Sequence, residues 1–267
     1  MSKADERPGS LVVQVVTCRK SPAERRSSAM AELNRLPIAL ETEFVDGFIA
    51  EDTIIDELYD AAINRRRCKR PISRTEVGVY ASHRLAWRRL LDSDHAAAFI
   101  LEDDFGFRDV GQVSRVLESW PAVLEDRDIV KLFDFEKRAV NRPMFSRRID
   151  GIELVKWRSP TAGMVAYLIS RRGAEKFLAR DRIFRPVDED VKYFWELGLD
   201  IWSVPGNPVT EVSERLGGSL VNTDRDQTKT YRLVRSIWGN LLTADRKIRT
   251  RLQLQRERLM RRFGSSD

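Results

Sequence analysis

Cysteine and histidine are scarce in this chain of 267 residues, which has two of each. Cys18 and Cys68 lie far apart, form no C-x-x-C pair and have no histidine close by, so neither a disulfide scaffold nor a cysteine-histidine zinc site has a basis. Two ordinary reduced thiols are expected. Long apolar runs are also missing. Nothing approaches the roughly 20 residues that cross a bilayer, and Met1 to Ser10 lacks the apolar core of a signal peptide, which points to the cytosol. No glycine falls between Thr17 and Pro22, after the first expected strand, so no Gly-rich loop is available there to cradle a triphosphate. Internal repeats and low-complexity segments are absent. A basic excess is missing from most of the chain, despite a net charge of +6. Residues 231–267 hold ten basic and three acidic side chains, whereas residues 1–230 hold 37 and 38. The core is therefore close to neutral, which removes the main support for a nucleic-acid partner.

With 42% hydrophobic and 33% charged residues, the chain can bury one sizeable core and carry an appendage. Ala96 to Leu101 (AAAFIL) reads as a strand buried on both faces, and Glu102-Asp103-Asp104 follows it directly. Such strands end at a sheet edge, where ligands of open α/β folds commonly bind. Three adjacent carboxylates repel one another unless water, basic partners or a cation neutralises them. A solvated acidic turn and a divalent-metal site that grips phosphates both satisfy that requirement.

Along the chain, Leu11 to Val16 reads as a first strand, Ser21 to Leu36 as a helix with Pro22 in its first turn, and Glu41 to Val45 as a second strand. Residues 51–71 look like a partly helical insertion carrying the basic run Arg65 to Arg70. Ser73-Arg74-Thr75-Glu76 has the capping-box pattern and should open a helix to about Leu91, with Glu76, Tyr80 and His83 on one face. Val110 to Trp120 suits a helix stopped by Pro121, and Asp128 to Phe133 a buried strand. Residues 138–151 read as irregular. Ile152 to Trp157, Met164 to Ile169 and Ile201 to Val204 read as strands. Ser170 should cap a helix through Ala179, and Asp188 should open a short one to about Leu197. Strands alternating with helices argue for an α/β fold. The expected division is a flexible stretch 1–10, a catalytic domain 11–230 and a basic tail 231–267.

Thr75-Glu76-Val77-Gly78-Val79-Tyr80-Ala81-Ser82-His83, then Trp87, then Ala98 to Asp104 resembles the central signature of glycosyltransferase family 25. These are lipopolysaccharide and lipooligosaccharide transferases that also resemble the collagen galactosyltransferases. Other pieces follow in order: Val12 to Thr17 with Arg25-Arg26, Phe44-Val45-Asp46-Gly47, Thr161-Ala162-Gly163 with Ala166 to Ala174, and Pro186-Val187-Asp188. The resemblance runs from about Leu11 to Ser213. Departures occur at Val15-Val16-Thr17-Cys18, where the family usually has Ile-Asn-Leu-Asp, and at Tyr80, in the neighbourhood of a frequent Cys.

This resemblance implies a GT-A type, Rossmann-like nucleotide-sugar domain with a mixed sheet, acting by inversion with Mn²⁺ or Mg²⁺. The implied partners are a UDP-sugar donor, UDP-galactose first, and a glycan or lipid-linked acceptor. Glu102 and Asp104 have the acidic-x-acidic spacing of the metal site, Asp104 being the first choice of ligand. Asp103 would face ribose or sugar hydroxyls, or cap the next segment. Arg25 and Arg26 could reach phosphate or pyrimidine groups, or lie on a solvated helix face. His83 is either a donor-pocket residue or a structural hydrogen-bond partner. Glu76 is assigned to donor binding, against a rival use as capping partner of Ser73. Asp188 leads as general base, against an N-cap role, with Asp190 and Asp134 behind it. Lys131 could bind phosphate or snorkel to the surface.

Two rivals keep some of these features. One is a nucleotidyltransferase or metal-dependent phosphohydrolase using the same carboxylates, and the other a non-catalytic basic adaptor. In the tail, Val234, Leu241 and Ile248 recur every seven residues, and Trp238, Leu252 and Leu259 extend them into one helical stripe amid many arginines. A stripe packed on the core or a partner, and a helix lying on an anionic membrane at the inner face, both fit this pattern.

Overall fold

The computed structural model describes residues 9–135, 141–218 and 233–263. Most of the expected flexible start, residues 1–8, lies outside the described residues. The chain opens β1 (Leu11–Cys18), α1 (Ala23–Leu33), β2 (Glu41–Gly47), α2 (Ile54–Leu58), α3 (Ala61–Arg67), α4 (Arg74–Asp92), β3 (Ala97–Glu102) and β4 (Phe105–Phe107). It continues with α5 (Val110–Glu118), α6 (Trp120–Leu124), β5 (Ile129–Lys131), β6 (Pro143–Ile149), β7 (Ile152–Trp157) and β8 (Ala166–Ser170). Then come α7 (Arg171–Leu178), α8 (Val187–Asp190), a 3₁₀ turn Val191–Glu196, β9 (Ile201–Ser203), β10 (Val209–Glu211) and α9 (Leu233–Phe263).

Eight strands form one mixed sheet in the order β2-β1-β3-β8-β5-β9-β7-β6, and β4 pairs with β10 in a small antiparallel ribbon. β1 runs parallel to both β2 and β3, while β8 runs antiparallel to β3. Alternating side chains of β1 and β3 feed two apolar layers. Val13, Val15, Phe99 and Leu101 pack on one face, and Val12, Val16, Ala98 and Ile100 on the other. Helices cover both faces, so these strands read as near-continuous apolar runs, interrupted in β1 by the buried Gln14, rather than as alternating ones. The C-terminal ends of β1, β2 and β3 meet the start of β8 at one sheet edge. That edge bears the candidate site.

α4 is fixed at its start by the full capping box: Ser73 accepts from the Glu76 amide, and Glu76 accepts from the Ser73 amide. It packs close to the β2 turn because Gly47 has no side chain. A Cβ there would stand 2.1 Å from Ser82 Oγ, and that hydroxyl accepts from the Phe48 amide at 2.9 Å and donates to the Gly78 carbonyl at 2.7 Å.

Several expectations are corrected. Pro22 precedes α1 as its N-cap rather than lying inside it. Pro121 does not end a helix but starts α6, where a first-turn position has no intrahelical use for the missing N–H. The segment expected to be irregular contains the edge strand β6, paired along its length with β7. Among the described residues, no helix is long and apolar enough to cross a membrane.

Candidate active site

A cleft of about 620 Å³ opens at the shared strand ends. Its walls come from Val16 to Cys18, from Phe48 to Glu51, from the first half of α4, from Glu102 to Asp104 and from Pro186 to Asp188. β3 carries the acidic triplet into this space, and the three carboxylates meet three different environments.

Asp103 is neutralised inside the protein. Thr17 Oγ1 donates to one of its oxygens at 2.5 Å and Arg25 Nη1 to the other at 2.7 Å. Arg25 also reaches Asp104 at 3.2 Å, the Leu216 carbonyl at 3.2 Å and the Gly218 carbonyl at 2.6 Å. Its guanidinium lines the cleft, yet most of its donors are spent on protein.

Asp104 is the opposite case. Its Oδ1 is buried without a hydrogen-bond partner, and its carboxyl is pushed up to about 7 by burial first and then by the Glu102 charge, which outweigh Arg25. A carboxylate in that state is short of positive charge.

Glu102 is held by a buried relay. Trp87 Nε1 donates to Tyr167 Oη at 2.9 Å, Tyr167 Oη lies 2.9 Å from His83 Nδ1, and His83 Nε2 lies 3.2 Å from Glu102 Oε1. The donor-only indole N–H sets the direction of the whole chain. Tyr167 accepts from it and keeps its one proton to offer Nδ1; in that arrangement His83 carries its proton on Nε2 and donates to Glu102. The structural hydrogen-bond reading of His83 is the one the geometry shows, and the residue also lines the cleft.

Other candidates divide sharply. Arg26 is not among the cleft-lining residues; it pairs with Asp46 and lies over the Phe44 ring at 4.8 Å. Glu76 lines the cleft, but Arg70 grips both of its oxygens, at 2.5 and 2.7 Å, while it also serves the capping box. The capping role is the one the geometry shows. Asp188 lies in the cleft wall, one residue inside α8, whose N-cap is Pro186. Asp190 is buried and held by Tyr80 and Arg185, both at 2.7 Å. Asp134 accepts from Lys131 and Thr161 at 2.5 Å and from Trp157 at 2.8 Å. Burial opposes its charge, but these partners hold its carboxyl below the usual range. Neither can readily take a proton from an acceptor. Lys131 is 2% exposed and spent on Asp134, the Thr161 carbonyl and the Ala162 carbonyl, so it neither snorkels nor faces phosphate.

Residues not singled out as candidates also line the cleft: Thr17, Lys20 and Glu211. Thr17 binds Asp103. Glu211 comes from β10, far along the chain, with no local pattern to mark it.

Among the described residues, no group of three or more His, Cys, Asp or Glu could hold a metal by itself. A pair of carboxylates remains compatible with Mg²⁺-type chemistry, in which substrate phosphates complete the coordination.

Among curated proteins none matches the chain. The crystal structure of A197 from STIV is similar at a TM-score of 0.38 and 11% identity, over 73% of this chain and 81% of that one. The family model for glycosyltransferase family 25, described as LPS biosynthesis protein, matches residues 16–191. That span begins in β1 and runs past Asp188, taking in most of the cleft, and it places the chain in glycosyltransferase family 25.

Proposed function

We propose that the protein transfers a hexose from a nucleotide sugar, UDP-galactose first among donors, to a glycan acceptor in surface-polysaccharide synthesis. The transfer is inverting, assisted by Mn²⁺ or Mg²⁺, on a domain of the GT-A type. The charge-deficient Asp104, whose buried Oδ1 has no hydrogen-bond partner, beside an oriented Glu102 carries this reading. These two residues would hold the cation, which when bound offsets negative charge on the departing diphosphate. Asp103 does not compete for it, because Thr17 and Arg25 occupy its oxygens.

Inversion needs a base that takes the acceptor proton as the hydroxyl attacks. Asp188 enters the cleft from α8, an element separate from the triplet, and we assign it this role. The apolar part of the wall, Phe48, Ile49, Val79 and Met164, supplies a surface that keeps water from the donor.

Two measurements test the proposal. In a panel of nucleotide sugars, UDP-galactose binding and slow hydrolysis should depend on Mn²⁺ or Mg²⁺ and vanish with a chelator; indifference to every nucleotide sugar would reject it. Asp188→Asn should leave donor affinity nearly intact and lower transfer about 10² to 10⁴-fold. A joint fall in donor binding and melting temperature would move the base elsewhere.

A further inference from the structure

α9 has two faces of opposite character. The inner face packs on the core: Leu254 is 3% and Thr250 4% exposed, and Glu257 pairs with the buried Lys156 at 2.5 Å. Arg246 lies over Tyr193 and Arg261 over Phe145, at 5.9 and 5.1 Å, on the same side. Leu241, Ile248, Leu252 and Leu259 are 55–60% exposed. At about 100° per residue these four fall within a sector of roughly 40°, turned well away from Leu254. The apolar stripe therefore faces out. Packing on the core, the simplest use of such a stripe, is taken by other residues.

Exposed cations border the stripe on both sides: Lys247, Arg251 and Arg258 along one flank, Arg249 and Arg256 along the other. Arg249 shares its charge with Asp245 at 2.9 Å. We propose that this outer face docks the protein on an anionic lipid surface, with the leucines and Ile248 entering the headgroup boundary and the flanking bases meeting lipid phosphates. The arrangement suits a helix lying in the interface plane, since binding there grows with buried apolar area and with attraction to anionic lipid. A second copy of the chain is a poor occupant. Two such helices face to face would oppose their basic flanks, and like charges at close range disfavour the contact. The proposal does not rest on glycosyl transfer, and its readout is binding rather than turnover.

The test is co-sedimentation of the full chain with phosphatidylcholine vesicles that contain about 30% phosphatidylglycerol, against phosphatidylcholine alone. The intact protein should pellet with the anionic vesicles only, and raising salt to about 0.5 M should release much of it. Joint replacement Leu241→Gln, Ile248→Gln, Leu252→Gln and Leu259→Gln should weaken partition by about tenfold or more while leaving the melting temperature unchanged, because those side chains are already in water. Arg251→Gln with Arg256→Gln and Arg258→Gln should erase the preference for anionic vesicles. Equal pelleting of wild type and the four-glutamine variant would overturn the proposal. So would a wild-type dimer that this variant splits on size-exclusion chromatography, since a second copy would then cover the stripe.

Discussion

Asp104 retains its proton to about pH 7 because burial, and then the Glu102 charge, oppose its ionisation. At pH values below about 4, folded and unfolded chains both hold that proton. Between there and about pH 7 only the folded chain holds it, so folding takes up a proton and stability falls as pH rises; above that window the dependence ends. With chelator present, the melting-temperature difference between wild type and Asp104→Asn should therefore shift against wild type as pH rises from about 4 to 7. A difference that ignores pH would contradict this account. The His83 relay makes a second prediction. Tyr167→Phe keeps the ring but deprives Trp87 and His83 of their shared partner, and it should weaken metal-dependent donor binding about 10 to 100-fold by calorimetry. Unchanged affinity would show that Glu102 needs no orientation. The triplet and His83 were visible in the sequence because neighbouring residues carry the pattern. Arg26 falls outside the cleft lining because neighbouring positions on a helix point about 100° apart, and it is Arg25 that turns to the triplet. The bond from Tyr167 to His83 spans 84 positions, and no local pattern reports it.

Among the elements, the contact between the β2 turn and α4 depends most on one residue. Gly47→Ala would bring a methyl group to 2.1 Å from Ser82 Oγ and force the helix outward. We expect a loss of about 1–3 kcal/mol in chemical denaturation, with weaker donor binding because His83 follows Ser82 on that helix. Wild-type stability in this variant would mean that the joint has slack. β1 and β3 were readable because they are largely apolar runs, and α4 because its capping box is local. β6 was not, since Pro143 to Ile149 lies at the sheet edge with most of its side chains exposed or half-buried and little apolar alternation. β4 and β10, at three residues each, are too short to show a period. The side chains of Val234 and Arg262, part of the expected stripe and its basic surround, lie outside the described residues.

Across the whole molecule, α9 is tied to the core through Leu254 and through Lys156, which pairs with both Asp200 and Glu257. Leu254→Ala should cost about 2–4 kcal/mol in urea unfolding, whereas substitutions on the outer stripe should cost little. Equal costs on the two faces would mean the helix is not seated as described. An α/β class was legible from the alternation of strands and helices. The strand order was not, because pairing β3 with β8 and β5 with β9 joins segments whose sequences carry no mark of each other. That order also governs how the chain must be born. β3 gains β1 at once on one side, but its other neighbour is not made until Ala166 to Ser170 leave the ribosome. At roughly 5–20 residues per second, a strand apolar on both faces waits for seconds with one edge open, the condition in which nascent chains recruit chaperones or aggregate. Arg25 waits longer still for the carbonyls of Leu216 and Gly218, so the candidate cleft is among the last parts of the molecule to be completed.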